Sequence, residues 1–285
     1  MWRSIALAVL ALGIMSAPAV AGGRHYAPNA NFDGRRAFLP GVAGFNIADV
    51  GNPALLKALP YGVKALVWVG MCEGVTPRFL QRVSPFIGDH RVFGFYLMDD
   101  ADPRSRLRGG LSAACDADRL RAESDWLHAH MPGTRTFIVL KNLGTARQPF
   151  YDETYRPEAT HIDLFGMCPY PCRSEWNGCD FHEMERYVAA AQAGGIPRSR
   201  MVPIYQAFGG GKWSDDEDGR YVMPTPTEEE EIVRQWQVLV PNPVFDMAYS
   251  WGSQRDDYAL EGDAVLRRFF ATLNRQHSRA FRKQE

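Results

Sequence analysis

Seven apolar segments of strand length recur along this chain, separated by stretches with helical patterns. The segments lie at 41–47, 63–70, 91–98, 135–142, 161–168, 201–208 and 244–251. Each is continuously apolar instead of alternating between apolar and polar residues, which is typical of parallel strands covered on both faces. This repeated strand–helix alternation predicts an α/β fold with a parallel sheet.

The number of segments favours a (β/α)8 TIM barrel over an open sheet. The eighth strand is not obvious, and we expect it to be short or irregular, within 24–40 or near 256–262. An open doubly wound sheet is the alternative. No glycine-rich phosphate-binding turn follows any of the segments, so the nucleotide-binding version of the open sheet loses its main support.

Helix starts are marked where a capping side chain precedes a proline, at Asn52-Pro53, Thr76-Pro77 and Thr225-Pro226. The first residue of each pair can accept a hydrogen bond at the N-cap, and proline suits the first helical position. Glu228 follows Thr225 by three positions, which predicts a capping box. Further helices are expected at 116–130, 181–193 and 263–275.

The segment 1–21 has the pattern of a secretory signal peptide. Arg3 precedes the apolar run IALAVLALGIM, and APAVA supplies an Ala-x-Ala cleavage site. We therefore expect residues 22–285 to form a single TIM-barrel domain that is secreted or periplasmic. No later stretch is apolar for long enough to predict a membrane helix.

The charges of the chain are nearly balanced, with 32 Lys and Arg against 33 Asp and Glu. Such a balance provides no electrostatic attraction for nucleic acid or for an anionic membrane surface. We expect a monomer that binds neither.

Five cysteines in an exported chain predict disulfide bonds. Cys72 and Cys115 follow consecutive strands and could meet. Cys168, Cys172 and Cys179 crowd one segment, where one thiol could remain free. A zinc site is the alternative, but CPYPC with one further cysteine lacks the paired CxxC of such sites. We expect no metal and no cofactor.

Polar and aromatic residues follow the predicted strands at the ends where TIM barrels carry their functional groups. They are Glu73, the acids Asp99, Asp100 and Asp102, Lys141 and Asn142, Tyr170, Gln206 with Trp213 after it, and Tyr249 with Trp251. Carboxylates can transfer protons, amides can bind hydroxyl groups, and flat rings can cover sugar faces. Together these residue types predict a carbohydrate site.

Strand alternation distinguishes the neighbouring aspartates. Asp99 shares a face with the apolar Phe95 and Leu97, and Asp100 shares the other face with Tyr96. We expect the apolar face to contact the helices, so Asp100 should point into the pocket and Asp99 toward a loop or helix start. A single bulge would invert this assignment. Asp102, just before a proline, is interpreted as a turn former.

Four sequence elements resemble those of secreted (β/α)8 glycoside-hydrolase-like proteins related to the large retaining clan. GFYLMDDADP resembles a GYY-x-x-DEP strand end, IDLFGMCPYP a (V/I)D-x-x-G-x-D-x-YP segment, PIYQAFGGGKW with MPTPTEEE a QAFG…W…P-T-P-x-E element, and FDMAYSWG a G-x-x-YYSW strand. They occur in the same order as in that family and cover roughly 90–252. The resemblance implies a carbohydrate-active barrel with acid–base chemistry at Asp100 and with Asp99 beside it. It also implies sugar contacts by Tyr170, Gln206, Tyr249 and Trp251.

The chain departs from the family pattern in its acids. Aspartate replaces glutamate at Asp100, Cys168 stands where an acid is common, and no glutamate ends the sixth or seventh strand. Glycoside hydrolysis ordinarily requires two carboxyl groups. The candidates for the second group are Glu73 on the neighbouring strand, Asp99, and Glu175 or Asp180 in the fifth loop. We favour Glu73.

The predicted function is an exported glycoside hydrolase that cleaves a poly- or oligosaccharide, with Asp100 as general acid and Glu73 or Asp99 as second carboxylate. Asn142, Tyr170, Gln206, Trp213, Tyr249 and Trp251 are the expected substrate contacts. The alternative is a non-catalytic carbohydrate-binding barrel that has lost the second catalytic carboxylate. A third interpretation, a Schiff-base aldolase acting through Lys141, lacks a visible phosphate site or partner acid.

Overall fold

The computed structural model describes residues 23–104, 115–213 and 219–281. The predicted signal peptide lies outside these ranges. The strands are β1 His25–Tyr26, β2 Ile47–Val50, β3 Lys64–Trp68, β4 Val92–Ala101, β5 Arg135–Leu140, β6 Leu164–Gly166, β7 Cys172–Arg173, β8 Gly178–Cys179, β9 Met201–Val202, β10 Ile204–Gln206, β11 Phe208–Gly209, β12 Asp246–Tyr249 and β13 Tyr258–Ala259.

Nine of these strands form one parallel sheet in the order β10-β12-β1-β2-β3-β4-β5-β6-β9. The two strands at the ends of this order, β9 and β10, are consecutive in the chain and are separated only by Pro203. Because proline has no N–H to donate to a ladder, it interrupts what is otherwise one continuous strand. The sheet therefore closes almost completely into a barrel, with β9 and β10 together in one strand position. The TIM-barrel prediction is confirmed.

The short strand expected from the sequence is β1, which lies inside the predicted range 24–40. His25 pairs with Asp246 of β12, and Tyr26 pairs with Ile47 of β2 as well as with Met247. This two-residue strand joins the last barrel strand to the first long one.

The predicted strand at 41–47 is wrong for most of its length. Pro40–Ala43 form a 3-10 helix, and β2 begins only at Ile47. Gly44 ends the 3-10 helix with a left-handed φ of 77°. That backbone conformation is incompatible with an extended strand, although the residues around it are apolar.

Seven α-helices lie within the described ranges: α1 Pro53–Lys57, α2 Pro77–Val83, α3 Ala117–His130, α4 Pro157–Thr160, α5 Glu183–Ala193, α6 Pro226–Leu239 and α7 Ala264–Phe281. Asn52, Thr76 and Thr225 cap α1, α2 and α6 as predicted, and the capping box between Thr225 and Glu228 is formed in both directions. Helix α7 is longer than predicted because its buried face continues through Asn274 and His277.

The apolar side chains form two layers. The barrel interior is filled by Tyr26, Ile47, Leu66, Tyr96, Phe137, Val139, Leu164, Val202, Ile204, Phe245 and Met247. Rings make up much of this filling, and the centroids of Phe137 and Phe245 are 5.1 Å apart with the rings edge to face. A larger cluster fills the space between the strands and the helices. The parallel strands are covered on both faces, as their continuous apolar sequences indicated.

Two disulfides are present within the described residues. Cys72 is bonded to Cys115, which confirms that these two cysteines meet, and Cys172 is bonded to Cys179 across the β7–β8 hairpin. Cys168 keeps a free thiol. No helix in the described ranges combines the length and apolarity that crossing a bilayer requires.

Candidate carbohydrate site at the carboxyl end of the barrel

A cavity of about 230 Å³ opens at the carboxyl ends of the barrel strands. Of the sequence-predicted site residues, it is lined by Asp99, Asp100, Asn142, Tyr170, Trp213 and Tyr249. Lys141 and Cys168, also noted from the sequence, line it too. Glu73, Gln206 and Trp251 are not among the lining residues. The structure therefore brings six of the nine predicted site residues to one cavity.

The end of β4 departs from regular strand geometry at the two aspartates. Met98 pairs with Ile138 and Ala101 pairs with Leu140, so β4 advances three residues while β5 advances two. The extra residue is accommodated by Asp100, which has a left-handed φ of 48°. As a result Asp99 and Asp100 both reach the cavity, and the expectation that Asp99 points toward a loop or helix start is wrong.

Asp99 is held in the cavity by a hydrogen bond from Tyr96. The Tyr96 hydroxyl donates a hydrogen bond of 2.6 Å to Oδ1 of Asp99. Although Asp99 is solvent-accessible in the cavity, the surrounding protein excludes much of the water that would hydrate its carboxylate, and this desolvation raises its pKa. The hydrogen bonds from Tyr96 and from the Asp100 backbone oppose that rise without cancelling it. Burial raises the pKa of Tyr96 well above its usual value, so Tyr96 remains the donor.

Aromatic side chains form one wall of the cavity. The ring of Tyr249 lies 6.0 Å from Tyr170, 5.4 Å from Phe208 and 6.3 Å from Trp213, measured between centroids. The guanidinium of Arg255 lies 4.2 Å from the centroid of Trp213. Rings held at fixed angles in this way offer flat apolar faces beside polar groups, which suits binding of a sugar ring.

Hydrogen bonds donated to the loop that follows β12 fix two of these aromatic residues. Trp213 donates from Nε1 to Asp257 Oδ2 at 3.0 Å, and the Tyr249 hydroxyl donates to Gln254 Oε1 at 2.6 Å. Because each polar atom is already bound to the protein, these residues present their rings to a ligand more readily than their hydrogen-bonding groups.

Asn142 lies at the cavity, but its amide organises the loop that follows it. Its oxygen accepts from the backbone N–H groups of Gly144 and Phe150, both at 3.0 Å. Its nitrogen donates to the carbonyl of Thr145 at 3.1 Å and contacts the Tyr187 hydroxyl at 3.0 Å. The amide thus shapes the cavity wall.

Cys168 faces the two aspartates from the end of β6. Burial raises the pKa of the Cys168 thiol well above its usual value, and the charges of Asp100 and Asp99 add to the effect. The thiol is therefore protonated at neutral pH and cannot serve as a thiolate nucleophile. It occupies the position where the resembling family often has an acid.

Glu73, the favoured second carboxylate, is bound to the start of α2. Thr76 donates from its hydroxyl to Glu73 Oε1 at 2.8 Å, and Arg78 lies 3.5 Å from Oε2. Glu73 lines a neighbouring groove of about 610 Å³ together with Asp100 and Lys141. Sequence reasoning placed it in the cavity because adjacent strands end close together, but the turn into α2 directs its side chain to the helix.

Gln206 and Trp251 have structural positions. The Gln206 amide is fully buried and joins two segments, accepting from the N–H of Cys172 at 2.8 Å and donating to the carbonyl of Val222 at 2.9 Å. Trp251 is 2% exposed and packs in the outer apolar layer. Their positions at strand ends therefore led to the wrong prediction that they contact the substrate.

Sequence reasoning missed several cavity residues that do not follow the predicted strand ends directly. They are Tyr151, Arg173, Tyr187 and Tyr221. Arg173 forms a buried ion pair of 2.8 Å with Glu183 and lies over the rings of Trp176 and Tyr221 at 4.5 and 5.1 Å. The sequence signal that could have found Arg173 is its position directly after Cys172, because the Cys172–Cys179 bond holds this hairpin in place.

Comparison with solved structures finds this architecture among glycoside hydrolases. A family 18 chitinase from the chitin utilization locus of Flavobacterium johnsoniae aligns with a TM-score of 0.52 at 12% identity, over 84% of this chain and 88% of that chain. A fungal endo-beta-N-acetylglucosaminidase from glycosyl hydrolase family 18 aligns with a TM-score of 0.50 at 11% identity, over 88% of this chain and 97% of that chain. No protein-family model and no curated protein matches the sequence. The likeness establishes the fold: this chain is a TIM barrel of the kind found in glycoside hydrolases.

Proposed function

We propose that this protein is an exported glycoside hydrolase that cleaves a poly- or oligosaccharide at the carboxyl end of its barrel. The observation that carries the proposal is the placement of Asp99 and Asp100 together in a cavity with an aromatic wall. Carboxyl groups beside sugar-sized apolar faces are what proton transfer to a glycosidic oxygen requires. The disulfides Cys72–Cys115 and Cys172–Cys179 fit an oxidising compartment and support the export expected from residues 1–21.

The two aspartates have different environments, and these favour different roles. The raised pKa of Asp99 favours a protonated carboxyl group, which is the form a general acid needs. Asp100, on the bulge beside it, supplies the second carboxylate. This assignment moves the acid from Asp100, which the sequence favoured, to Asp99, and it replaces Glu73 as the second group. No cofactor takes part in this chemistry.

The first glycans to test are N-acetylglucosamine oligosaccharides and polymers, because the chitinase and the endo-beta-N-acetylglucosaminidase share the fold. The mature chain is incubated with a panel that also contains glucans, xylans and uronic-acid polymers. Released fragments are identified by mass spectrometry. We expect one class of glycan to be cleaved, and we expect Asp99→Asn and Asp100→Asn each to reduce the rate by about 10²- to 10⁴-fold.

Asp152 is exposed and lies about fifty positions after the two aspartates, so it provides the matched control. Asp152→Asn changes the same functional group and should leave the rate unchanged. Cleavage that survives in both Asp99→Asn and Asp100→Asn would contradict the proposal.

A second candidate is a barrel that binds glycans without cleaving them. It is favoured by the binding of Glu73 to Thr76 and Arg78, because this removes the expected second carboxylate from the cavity. Isothermal titration calorimetry with the same panel distinguishes the two functions. Glycan binding that is retained in Asp100→Asn, with no product from the wild-type chain on any glycan, would establish the binding function instead.

A further inference from the structure

Lys141 lies where the two openings at the carboxyl end of the barrel meet. It follows Leu140, the last residue of β5, and its backbone N–H donates to the carbonyl of Ala101 at 3.2 Å. Its half-buried side chain lines both the cavity and the neighbouring groove, and among the described residues only Asp100 does the same. A glycan that extends from the cavity past Asp100 into the groove therefore passes Lys141.

The ammonium group of Lys141 has no partner in the part of the chain that the structure describes. Its Nζ atom forms neither a hydrogen bond nor an ion pair there, and this includes the nearby Asp100. The other cation that lines the cavity is bound to the protein. Arg173 donates to Glu183 at 2.8 Å and to the carbonyl of Tyr170 at 3.0 Å. Lys141 is therefore the cation of the cavity that can bind a ligand.

The arginines in and beside the groove are each paired with an acid. These pairs are Arg78 with Glu73 at 3.5 Å, Arg119 with Asp116 at 3.1 Å, and Arg104 with Asp102 at 3.4 Å. Since the two charges of a pair largely cancel, these arginines add little net positive charge to the groove. The cation that remains unpaired among the described residues of both linings is Lys141.

The acids at the cavity do not exclude an anionic ligand. Desolvation raises the pKa of Asp99, which favours its neutral form. Asp100 and Lys141 are not in contact as an ion pair, so the ammonium remains available to a ligand. An anion in direct contact with the ammonium is attracted more strongly than it is repelled by a carboxylate further away, because the Coulomb energy falls with distance.

We propose that Lys141 binds an anionic substituent of the glycan, a carboxylate or a sulfate group, and thereby selects acidic poly- or oligosaccharides. The inference rests on the proposed function, because it requires the glycan to enter the cavity beside Asp99 and Asp100. The aromatic wall contacts the sugar ring, which acidic and neutral sugars share, so Lys141 supplies the discrimination. This role uses the protonated amine, in contrast to the Schiff-base interpretation of Lys141, which needs the neutral one.

The test compares acidic polymers with neutral or less acidic forms of the same polymers. Binding is measured by titration calorimetry in the Asp99→Asn background, which slows cleavage during the measurement. The probes are hyaluronate, alginate and polygalacturonate, each beside the same polymer with its carboxylates reduced to alcohols, and chondroitin sulfate beside chondroitin. We expect an acidic polymer to bind at least about tenfold more tightly than its counterpart. The pair that shows the difference identifies the group as carboxylate or sulfate.

Substitution of Lys141 in the same background tests the residue itself. Lys141→Met should weaken binding of the acidic polymer by roughly 10- to 100-fold, the range of a hydrogen bond to a charged group, and remove its advantage over the counterpart. Lys141→Arg should keep most of the affinity because it keeps the charge. Lys57→Met, at an exposed lysine of α1, is the control and should bind normally.

The salt dependence separates charge recognition from a purely structural role. Added sodium chloride should weaken binding of the acidic polymer when Lys141 is present and should have little effect in Lys141→Met, because salt screens the charge contact. The Tm of Lys141→Met should match that of its parent, since the ammonium has no contact to lose in the described ranges.

Three results would overturn the inference. They are failure to bind any acidic polymer, equal affinity for every acidic polymer and its counterpart, and a Lys141→Met variant that binds the acidic polymer as its parent does. The cleavage panel distinguishes this inference from the proposed function. Cleavage of a neutral glycan without preference for an acidic one would remove the inference and keep the hydrolase. Lys141-dependent binding of an acidic polymer that the wild-type chain does not cleave would support the inference and remove the hydrolase.

Discussion

The Tyr96 hydroxyl donates a hydrogen bond of 2.6 Å to Asp99, three positions further along the same strand. In a regular strand these two residues would face opposite sides of the sheet. The contact exists because β4 carries irregular register against β5 between Tyr96 and Met98. It places a carboxyl group of raised pKa in the cavity at the carboxyl end of the barrel, where the proposed chemistry takes place.

Replacing Tyr96 with phenylalanine should raise the pKa of Asp99 further. The hydrogen bond favours the ionised carboxylate, so its loss favours the protonated form. If Asp99 is the general acid, activity declines as this group ionises, and the basic limb of the pH profile of kcat/KM should move to higher pH. The measurement is that profile for Tyr96→Phe and for Tyr61→Phe, an exposed control. Identical profiles would exclude Asp99 as the group that titrates.

Glu123 should make the fold less stable as the pH rises. Its buried carboxyl accepts the N–H groups of Glu73 and Gly74 at 2.9 and 3.0 Å, yet desolvation raises its pKa from 4.5 to about 8. Between pH 4.5 and about pH 8 the folded chain therefore keeps a proton on Glu123 that the unfolded chain has released. The stabilisation from this bound proton is fully present below pH 4.5, and it is lost as the pH rises through about 8. Urea unfolding at several pH values should show a weaker pH dependence for Glu123→Gln than for the wild type. The exposed Glu158→Gln should match the wild type.

The two disulfides should contribute unequally to stability. Cys72 and Cys115 are separated by 43 positions, and Cys172 and Cys179 by 7. In the chain-entropy account a cross-link restricts the unfolded chain more when its loop is longer, which gives about 4 kcal/mol for the first bond and about 2 kcal/mol for the second. Replacing each pair by alanine and measuring the free energy of unfolding in urea tests the order. A larger loss for the Cys172 and Cys179 pair would show that local packing outweighs loop entropy.

The two tryptophans expected to contact sugar should behave differently. Trp213 lines the cavity, so Trp213→Ala should weaken glycan binding by roughly tenfold, or ~1.4 kcal/mol, with little loss of stability. Trp251 is buried in the outer apolar layer, so Trp251→Ala should cost about 3–5 kcal/mol of stability through the cavity it leaves. Titration calorimetry and urea unfolding of both variants separate these effects. Equal loss of affinity in two folded variants would contradict the placement of Trp251.

Much of the barrel could be predicted from the chain because it rests on local patterns. Continuous apolar segments predicted parallel strands, and the capping residues Asn52, Thr76 and Thr225 predicted three helix starts. These signals are local, since an N-cap is decided by a side chain and the N–H groups two or three residues away. The strand predicted at 41–47 was wrong because the left-handed backbone of Gly44 decides the structure there, and the apolar character of the segment does not.

The site was less predictable because strand ends were treated as equivalent. Glu73 and Gln206 each end or follow a barrel strand, yet Glu73 binds the start of α2 and Gln206 joins loop segments through its amide. Which neighbour takes a polar side chain depends on loops that are distant in sequence. Tyr187 and Tyr221, which line the cavity, lie on such distant segments and left no motif.

The sequence by itself determined the barrel class, the helix caps and the strand end that carries the acids, because each follows from periodicity or from contacts between near neighbours. Only the tertiary structure decided that Asp99 and Asp100 both face the cavity. A strand alternates its side chains strictly until its pairing slips, and the slip in β4 is determined by its register against β5, which begins more than thirty positions after Asp100.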